Sequence, residues 1–436
     1  MDKPKTIRDL IDSGYKSVSV KSEVRNNLIK KIRASEELFP GIIGFETTVI
    51  PQIENAILSG QDIIFLGERG QAKTKLMRNF ILLLDNELPV IDGCEIRDNP
   101  LNPLCKRCRD IVDKNGSDTR ISWISRDKRY TEKLATPDVT TADLIGEIDP
   151  IKVAEGKYLS DERVIHFGLI PRSNRGIFAL NELPDLAEKI QIGLFNILAE
   201  RDYQIRGFTV RVPLDVYLIA SANPEDYTNR GRIITPLKDR FGSQIRTHYP
   251  LSREKEIQIV EQERHLFSEE TQVIVPQFMK DIVVEVTRQA RMHPDIDRSS
   301  GVSVRVSINN QENIISNALR RFLRLKGNFI VPRITDLSYL SASTTGKIEL
   351  DGFSENGSES VISGLVGKAV LKILNDRMSD YDFSSFLEYI KDSGTFIVSE
   401  GLSSGEYEKQ VSRWQGLTEL RNRLDIRNSE MMASVI

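Results

Sequence analysis

Apolar and polar positions follow four different rhythms along the chain. Residues 1–38 are polar and rich in Lys and Arg, with Val24, Leu28, Ile29 and Ile32 at helix spacing. Over 39–250, short apolar runs alternate with helical patterns, which predicts a parallel α/β sheet. Strands are expected at Ile63–Leu66, Ile121–Ile124, Ile177–Leu180, Val216–Ala220 and Gln244–Thr247. A helix is expected over about 187–198, followed by a hairpin whose arms Gln204-Ile205 and Thr209-Val210 flank Gly207. Residues 251–332 read as helical, with Ile257, Ile259, Val260, Val283, Val284, Val286, Ile314, Ile315, Leu319 and Leu323 as candidate core. The last stretch, 333–436, combines a turn-rich linker over about 341–360 with a helical tail through Val361, Leu365, Val370, Leu371 and Leu374.

The first candidate strand runs straight into Gly67-Glu68-Arg69-Gly70-Gln71-Ala72-Lys73-Thr74-Lys75, and an amphipathic helix follows. Glycines at both ends of such a loop let backbone N–H groups wrap a phosphate, and the helix N-terminus adds unpaired donors. Lys73 is then expected at the β- and γ-phosphates of ATP, and the Thr74 hydroxyl on Mg2+. Ala72 stands where the pattern usually has glycine; a methyl group is tolerable there if the residue adopts helical dihedrals.

A phosphate loop of this kind needs an acidic pair at the end of a neighbouring strand. Arg175-Gly176-Ile177-Phe178-Ala179-Leu180-Asn181-Glu182 supplies a buried run ending in two polar residues. Glu182 is the candidate general base for the attacking water. Asn181 holds the place of the usual aspartate, where its amide oxygen can accept from a metal-bound water but brings no charge. Asp at 181 is therefore expected to raise the rate or tighten Mg2+ binding. The next strand ends Ser221-Ala222-Asn223-Pro224, and Asn223 is the candidate sensor of the γ-phosphate. Downstream, Arg240 in Thr235-Pro236-Leu237-Lys238-Asp239-Arg240-Phe241 is the first candidate for a cation donated to a neighbouring subunit's site, ahead of Arg232 and Arg230. Ser303-Val304-Arg305 opens a helix from which Arg305 could reach the nucleotide; a plain surface arginine is the alternative.

In this order the motifs resemble the AAA+ branch that contains the magnesium-chelatase ATPase subunit and the MoxR-type ATPases. The carriers are FPGIIGFETTV (39–49), GERGQAKTK, RGIFALNELPDL, SANPEDY, TPLKDRF and SVR. Residues 135–176 are similar to the helix-2 insert that marks this branch. The resemblance implies a P-loop αβα sandwich on a five-stranded parallel sheet over 39–250. It also implies an all-α lid over 251–332 and a helical C-terminal tail. Pro40–Gly44, with Ile43 and Gly44, is expected near the adenine. Nucleotide would sit between subunits of a homo-oligomeric, hexameric ring, and ring motion would reach a partner with a von Willebrand A domain.

Composition narrows the partners. Sixty basic and 63 acidic residues leave a formal charge of −3, and residues 351–436 carry 14 Asp/Glu against 9 Lys/Arg. No electrostatic footprint for nucleic acid emerges. No apolar run approaches the roughly 18–20 residues that cross a bilayer, and the N-terminus lacks a signal-peptide core, so a cytoplasmic protein is expected. The three cysteines, Cys94, Cys105 and Cys108, make no disulfide framework and read first as free loop thiols; the alternative is zinc, since Cys-x2-Cys is half a zinc site and Cys94 could supply a third thiolate. The four histidines are scattered. The function expected is an ATP-hydrolysing ring motor that remodels or activates a partner. A slow ATP-dependent switch or scaffold, favoured by Asn181, and a DNA-acting AAA+ regulator are the alternatives.

Overall fold

The computed structural model describes residues 3–149, 151, 154, 164–200, 203–205, 208–210, 213–223, 233–297, 301–350, 357–393, 397–412, 414 and 416–435. The chain divides into two compact units. One comprises Met1–Gly67 and Ala72–Thr247, the other Glu68–Gln71 and His248–Ile436.

The first unit is built on a sheet of five parallel strands. In chain order the strands of this unit are β1 (Ile63–Leu66), β2 (Glu87–Ile91), β3 (Ile121–Ser125), β4 (Tyr130–Leu134), β5 (Gly146–Ile148), β6 (Ile165–Phe167), β7 (Gly176–Asn181), β8 (Tyr203–Ile205), β9 (Phe208–Val210), β10 (Val216–Ala222) and β11 (Ser243–Arg246). The sheet runs β11-β1-β10-β7-β4. Every residue of β1 and β7 is buried, because a parallel sheet is covered on both faces. Alternation splits the strands between two cores. Ile64, Leu66, Phe178, Leu180, Leu218 and Ala220 meet Ile190, Leu194 and Leu237 on one side. Ile63, Phe65, Ile177, Ala179, Tyr217 and Ile219 meet Val24, Leu28, Ile53, Leu76 and Phe80 on the other.

One expected strand lies elsewhere. Ile121–Ser125 pairs antiparallel with β2 outside the central sheet, and the fifth place belongs to Tyr130–Leu134. That edge strand reads Tyr-Thr-Glu-Lys-Leu and is only half buried, so its hydrophobic pattern is weaker than that of Ile-Ser-Trp-Ile-Ser. The helix expected over 187–198 spans Glu188–Glu200. The arms β8 and β9 pair antiparallel, Tyr203 opposite Val210 and Ile205 opposite Phe208. Arg206 and Gly207 lie outside the described residues.

The N-terminal residues belong to this unit. Thr6 and Asp9 form a reciprocal capping box on the helix Ile7–Asp12, and Ser19 caps the helix Val20–Arg33. The second helix is tied to the N-terminal ends of three sheet strands. Val20 N donates to Asp215 Oδ2 at 2.8 Å, and Lys21 pairs with Asp62 at 2.8 Å, whose other oxygen accepts from Leu218 N at 3.0 Å. Glu23 makes a bidentate pair with Arg129, two bonds of 2.6 Å, both side chains buried. Arg129 also donates to the Arg175 carbonyl at 3.0 and 2.8 Å, and Glu23 accepts from Asp85 N at 2.7 Å.

The second unit is helical. Arg253–Glu263, Gln277–Met292 and Arg305–Leu325 are followed by Gly357–Met378, Ser384–Ser393, Ser404–Val411, Leu417–Arg423 and Ser429–Val435. Phe278, Ile282, Val286, Ile314, Leu337, Leu340, Ile362, Leu365, Ala369 and Ile373 share one core. Two buried ion pairs lock the helices. Glu256 takes Arg291 at 2.7 and 2.9 Å; Asp336 takes Arg321 at 2.6 and 2.9 Å and the Arg333 amide at 2.8 Å. Leu323, read as core, is instead exposed, as are Leu371 and Leu374 of the helical repeat in the tail, since these long helices carry more apolar residues than one buried stripe accommodates. Part of the expected linker, Leu340–Thr344, is helical, and 351–356 lie outside the described residues. Among the described residues no helix is long and apolar enough to cross a membrane.

The Glu23–Arg129 pair sets a stability prediction. Glu23→Ala strands a buried guanidinium and should cost about 3–5 kcal/mol, whereas Glu23→Leu/Arg129→Met should cost far less, because both desolvated charges go together. Denaturant unfolding of the three proteins checks this; equal losses in single and double variants would contradict it.

Candidate functional site

The parallel register brings the C-terminal ends of β1, β10 and β7 to one edge. Leu66 lies opposite Ala222 and Phe65 opposite Ser221, while Ala220 lies opposite Leu180. Gly67, Asn223 and Asn181 therefore emerge side by side, where open α/β sheets gather ligands. Gly67 N continues the ladder, donating to Ala222 O at 3.1 Å.

After Gly67 the loop turns sharply. Gly70 has φ +75°, a conformation a side chain resists. Glu68–Gln71 belong to the helical unit, and within it a Cβ on Gly70 would meet Ser303 Oγ at 1.9 Å. Gln71 folds back to accept the Glu68 N–H at 3.1 Å, and the Arg69 carbonyl accepts from Tyr249 Oη at 3.0 Å. Ser303 Oγ also accepts the Arg305 N–H at 3.1 Å. The exposed Arg305 thus begins its helix two residues from the group seated against Gly70.

The helix Lys73–Asn79 starts on Ala72, which adopts φ 56°, ψ 16°. The alanine is left-handed, not right-handed helical as its substitution for glycine suggested. The buried Lys73 ammonium donates back to the Gly67 carbonyl, curling inside the loop. Lys75 is half-buried one position past Thr74.

A hydroxyl–amide–carboxylate chain links the strands. Asn181 Oδ1 accepts from Thr74 Oγ1 at 3.2 Å and from Ser221 Oγ at 3.2 Å. Its Nδ2 donates to Glu132 Oε1 at 2.8 Å. Two hydroxyl donors on one side and a carboxylate on the other fix the amide's orientation. Glu132 in turn holds Arg78 through bonds of 2.8 and 3.0 Å, and this pairing raises the Arg78 pKa. Burial, with Glu132 nearby, pushes the Tyr130 phenol up. Sequence reading did not find Glu132, because its strand β4 was not recognised; only the register beside β7 brings it to Asn181.

Glu182 follows as a half-buried residue at φ 55°, ψ 49°, with its N–H on Ser221 Oγ at 3.3 Å. A non-glycine residue held left-handed stores roughly 1–3 kcal/mol, and such strain concentrates where a side chain must be aimed. Asn223 is 3% exposed, and its Oδ1 has no hydrogen-bond partner among the described residues. An orphaned buried acceptor is costly unless a ligand or water satisfies it, so this oxygen is suited to a donor such as a bound water.

Of the remaining candidates, Arg240 is exposed in the last turn of Thr235–Arg240. Arg230 and Arg232 lie outside the described residues, as do Pro224 and most of 150–163 in the presumed insert. Gly44 has φ 88° and donates its N–H to Glu46 Oε1 at 3.1 Å. The neighbouring Ile43 is half-buried between buried Ile42 and Phe45. Cys94, Cys105 and Cys108 do converge, and buried Asp98, which the sequence did not single out, joins them.

Residues 119–241 match the family model of the AAA domain, dynein-related subfamily. No curated protein matches the sequence. Among solved structures, the chain is similar to a model of the complex between the BchI and BchD subunits of magnesium chelatase, with 16% identity, 74% of this chain and 98% of that chain covered, and TM-score 0.36. It is also similar to NtrX from Brucella abortus, with 17% identity, 66% of this chain and 53% of that chain covered, and TM-score 0.40.

The left-handed Ala72 yields a direct test. A β-carbon in this region costs about 1–2 kcal/mol, while glycine loosens the unfolded chain by about 0.4–1 kcal/mol. Relief of strain outweighs the added freedom of the unfolded chain, so Ala72→Gly should stabilise the protein by up to about 1 kcal/mol. A raised midpoint in chemical denaturation is the expected result, and a clear loss of stability would show that Ala72 is not strained.

Proposed function

We propose that this chain, whose residues 119–241 match an AAA domain, is an ATP-hydrolysing motor of the magnesium-chelatase and MoxR type. It would act as a homo-oligomeric, hexameric ring that remodels or activates a partner protein, one with a von Willebrand A domain, in the cytoplasm. The observation that carries this reading is the chain Thr74–Asn181–Glu132 beside the orphaned Asn223 oxygen and the curled Lys73.

Each residue has a role its chemistry suits. The backbone of Gly67–Lys75 and the Lys73 ammonium would hold the phosphates, and Pro40–Gly44 the base. Thr74 and Asn181 would hold Mg2+, which supplies charge neutralisation across the β- and γ-phosphates. Glu182 would polarise the water, and Asn223 would orient it. Arg240 would be offered to the neighbouring subunit's γ-phosphate, and Arg305 would act from the helical unit. Near-neutral charge leaves nucleic acid without support as a partner.

The amide at 181 is matched to its neighbour. With Glu132 2.8 Å from Nδ2, an aspartate at 181 would set two carboxylates against each other, and one would take up a proton. Asn181→Asp alone is therefore expected to gain nothing, against the simple expectation from its missing charge. Asn181→Asp/Glu132→Gln restores a donor–acceptor pair with the charge moved one strand over. It should recover or exceed the wild-type rate and tighten Mg2+ binding. A single variant faster than the double would break this account.

The broader test is steady-state ATP hydrolysis against protein concentration. The rate per subunit should climb with concentration as composite sites assemble. It should fall about 10²–10⁴-fold in Glu182→Gln, the range for losing a general base, and at least about 10³-fold in Arg240→Ala. Tight ATP binding without turnover at any concentration would favour the slow switch, the second reading that Asn181 supports.

A further inference from the structure

Residues 92–120, the connection from β2 to β3, enclose a cluster that the nucleotide chemistry leaves unused. We propose that Cys94, Asp98, Cys105 and Cys108 form a structural Zn2+ site, with Asp98 as the ligand that completes the three thiolates.

One ligand atom from each of the four residues lies within 4.8 Å of all the others. Tetrahedral zinc with Zn–S bonds near 2.3 Å separates its sulfurs by about 3.8 Å, so a small closure around the ion completes the site. None of the three cysteines is in a disulfide, and pairing any two would still leave a third thiol against a carboxylate. Sulfur donors select against Mg2+ and Ca2+, which take oxygen. A 4Fe–4S cluster, whose thiolates sit on separate iron atoms around a cage, needs its ligands further apart, and a 2Fe–2S cluster needs two ligand pairs on two irons.

The surroundings are arranged as ligands to an ion would be. Asp98 is fully buried; its Oδ2 accepts the Cys105 N–H at 2.9 Å, and its Oδ1 has no partner among the described residues. A buried carboxyl in such a place either takes up a proton or pairs with a cation, and beside three sulfurs a metal ion meets the second demand. Backbone N–H groups already point at two sulfurs, Asp98 N to Cys94 Sγ at 3.3 Å and Cys108 N to Cys105 Sγ at 3.4 Å. Such bonds orient metal-bound ligands. Cys105 is also the N-cap of Lys106–Asn115, so its backbone is fixed by the start of that helix.

The metal would brace the foot of the catalytic strand. Ile91 N donates to the Asp98 carbonyl at 3.2 Å, and Asn174 Nδ2 donates to the Ile96 carbonyl at 3.0 Å, two residues before β7. Cys105 and Cys108 pack in the same core as Phe178 and Leu180. Closing the ion into this knuckle couples metal binding to the folding of β2 and of the turn that enters β7.

Metal analysis of the full chain, purified without chelators, is expected to find one zinc ion per chain. After exchange with Co2+ the protein should show thiolate-to-cobalt charge transfer and the visible bands of a tetrahedral ion. Asp98→Asn should weaken zinc binding at least about tenfold, no less than loss of an outer-shell partner, and Cys108→Ser should abolish the cobalt spectrum. Wild-type protein that is folded by circular dichroism, fully reduced, and takes up neither zinc nor cobalt would overturn the site. Unchanged zinc affinity in Asp98→Asn would overturn Asp98 as the fourth ligand.

Discussion

The buried pair of Arg129 and Glu23 holds together the parts on which the site depends. Neither charge is solvated, so each is tolerable only in the other's presence. Through this pair the helix Val20–Arg33 meets the turn that starts β4, and the guanidinium's remaining donors grip the carbonyl of Arg175, the residue before β7. Gly176 permits the approach: a Cβ there would stand 2.2 Å from the Arg129 carbonyl oxygen. The register of β4 against β7 is thus set at one end of the strands, and Glu132 and Asn181 come within a hydrogen bond at the other.

That dependence explains what the sequence discloses and what it hides. The strand–loop–helix around Lys73 is legible because its chemistry is local: every residue that matters lies within one turn of the chain. Asn181, Glu182 and Asn223 are legible because each follows a fully apolar strand, and the end of such a strand is where the sheet opens to ligand. Tyr130–Leu134 is not, since an edge strand needs to bury only part of its surface and so loses the apolar pattern by which strands are recognised. Glu132 disappears with it. Asp98 escapes for a related reason, being a lone acidic residue in a polar connection until the knuckle folds around it.

Tertiary context also overrides the local rule at Ala72. A residue in the first turn of a helix takes helical dihedrals, but Ala72 is instead the N-cap of Lys73–Asn79, outside that turn, and the lysine after it curls back to Gly67. Glycine would take the left-handed conformation freely; alanine takes it under strain. In the helical unit, by contrast, excess apolar residues on Arg305–Leu325 and Gly357–Met378 blur the reading, because periodicity names a stripe but not how much of it a neighbour covers.

Three non-glycine residues in the left-handed region, Ala72, Arg175 and Glu182, flank the strands that build the site. Arg175 is held by bonds that leave it little freedom: its N–H to Asp215 O at 2.6 Å and its guanidinium to Pro89 O at 2.7 Å. The Glu182 N–H makes a longer bond, 3.3 Å to Ser221 Oγ. Ser221 donates to the same Asn181 oxygen that Thr74 reaches. Any ligand that draws Thr74 or Asn181 toward itself therefore acts on the hydroxyl that steadies Glu182. A strained residue whose backbone leans on that hydroxyl is coupled, through Asn181, to the threonine of the phosphate loop. By this route occupancy of the loop would reach the Glu182 carboxylate.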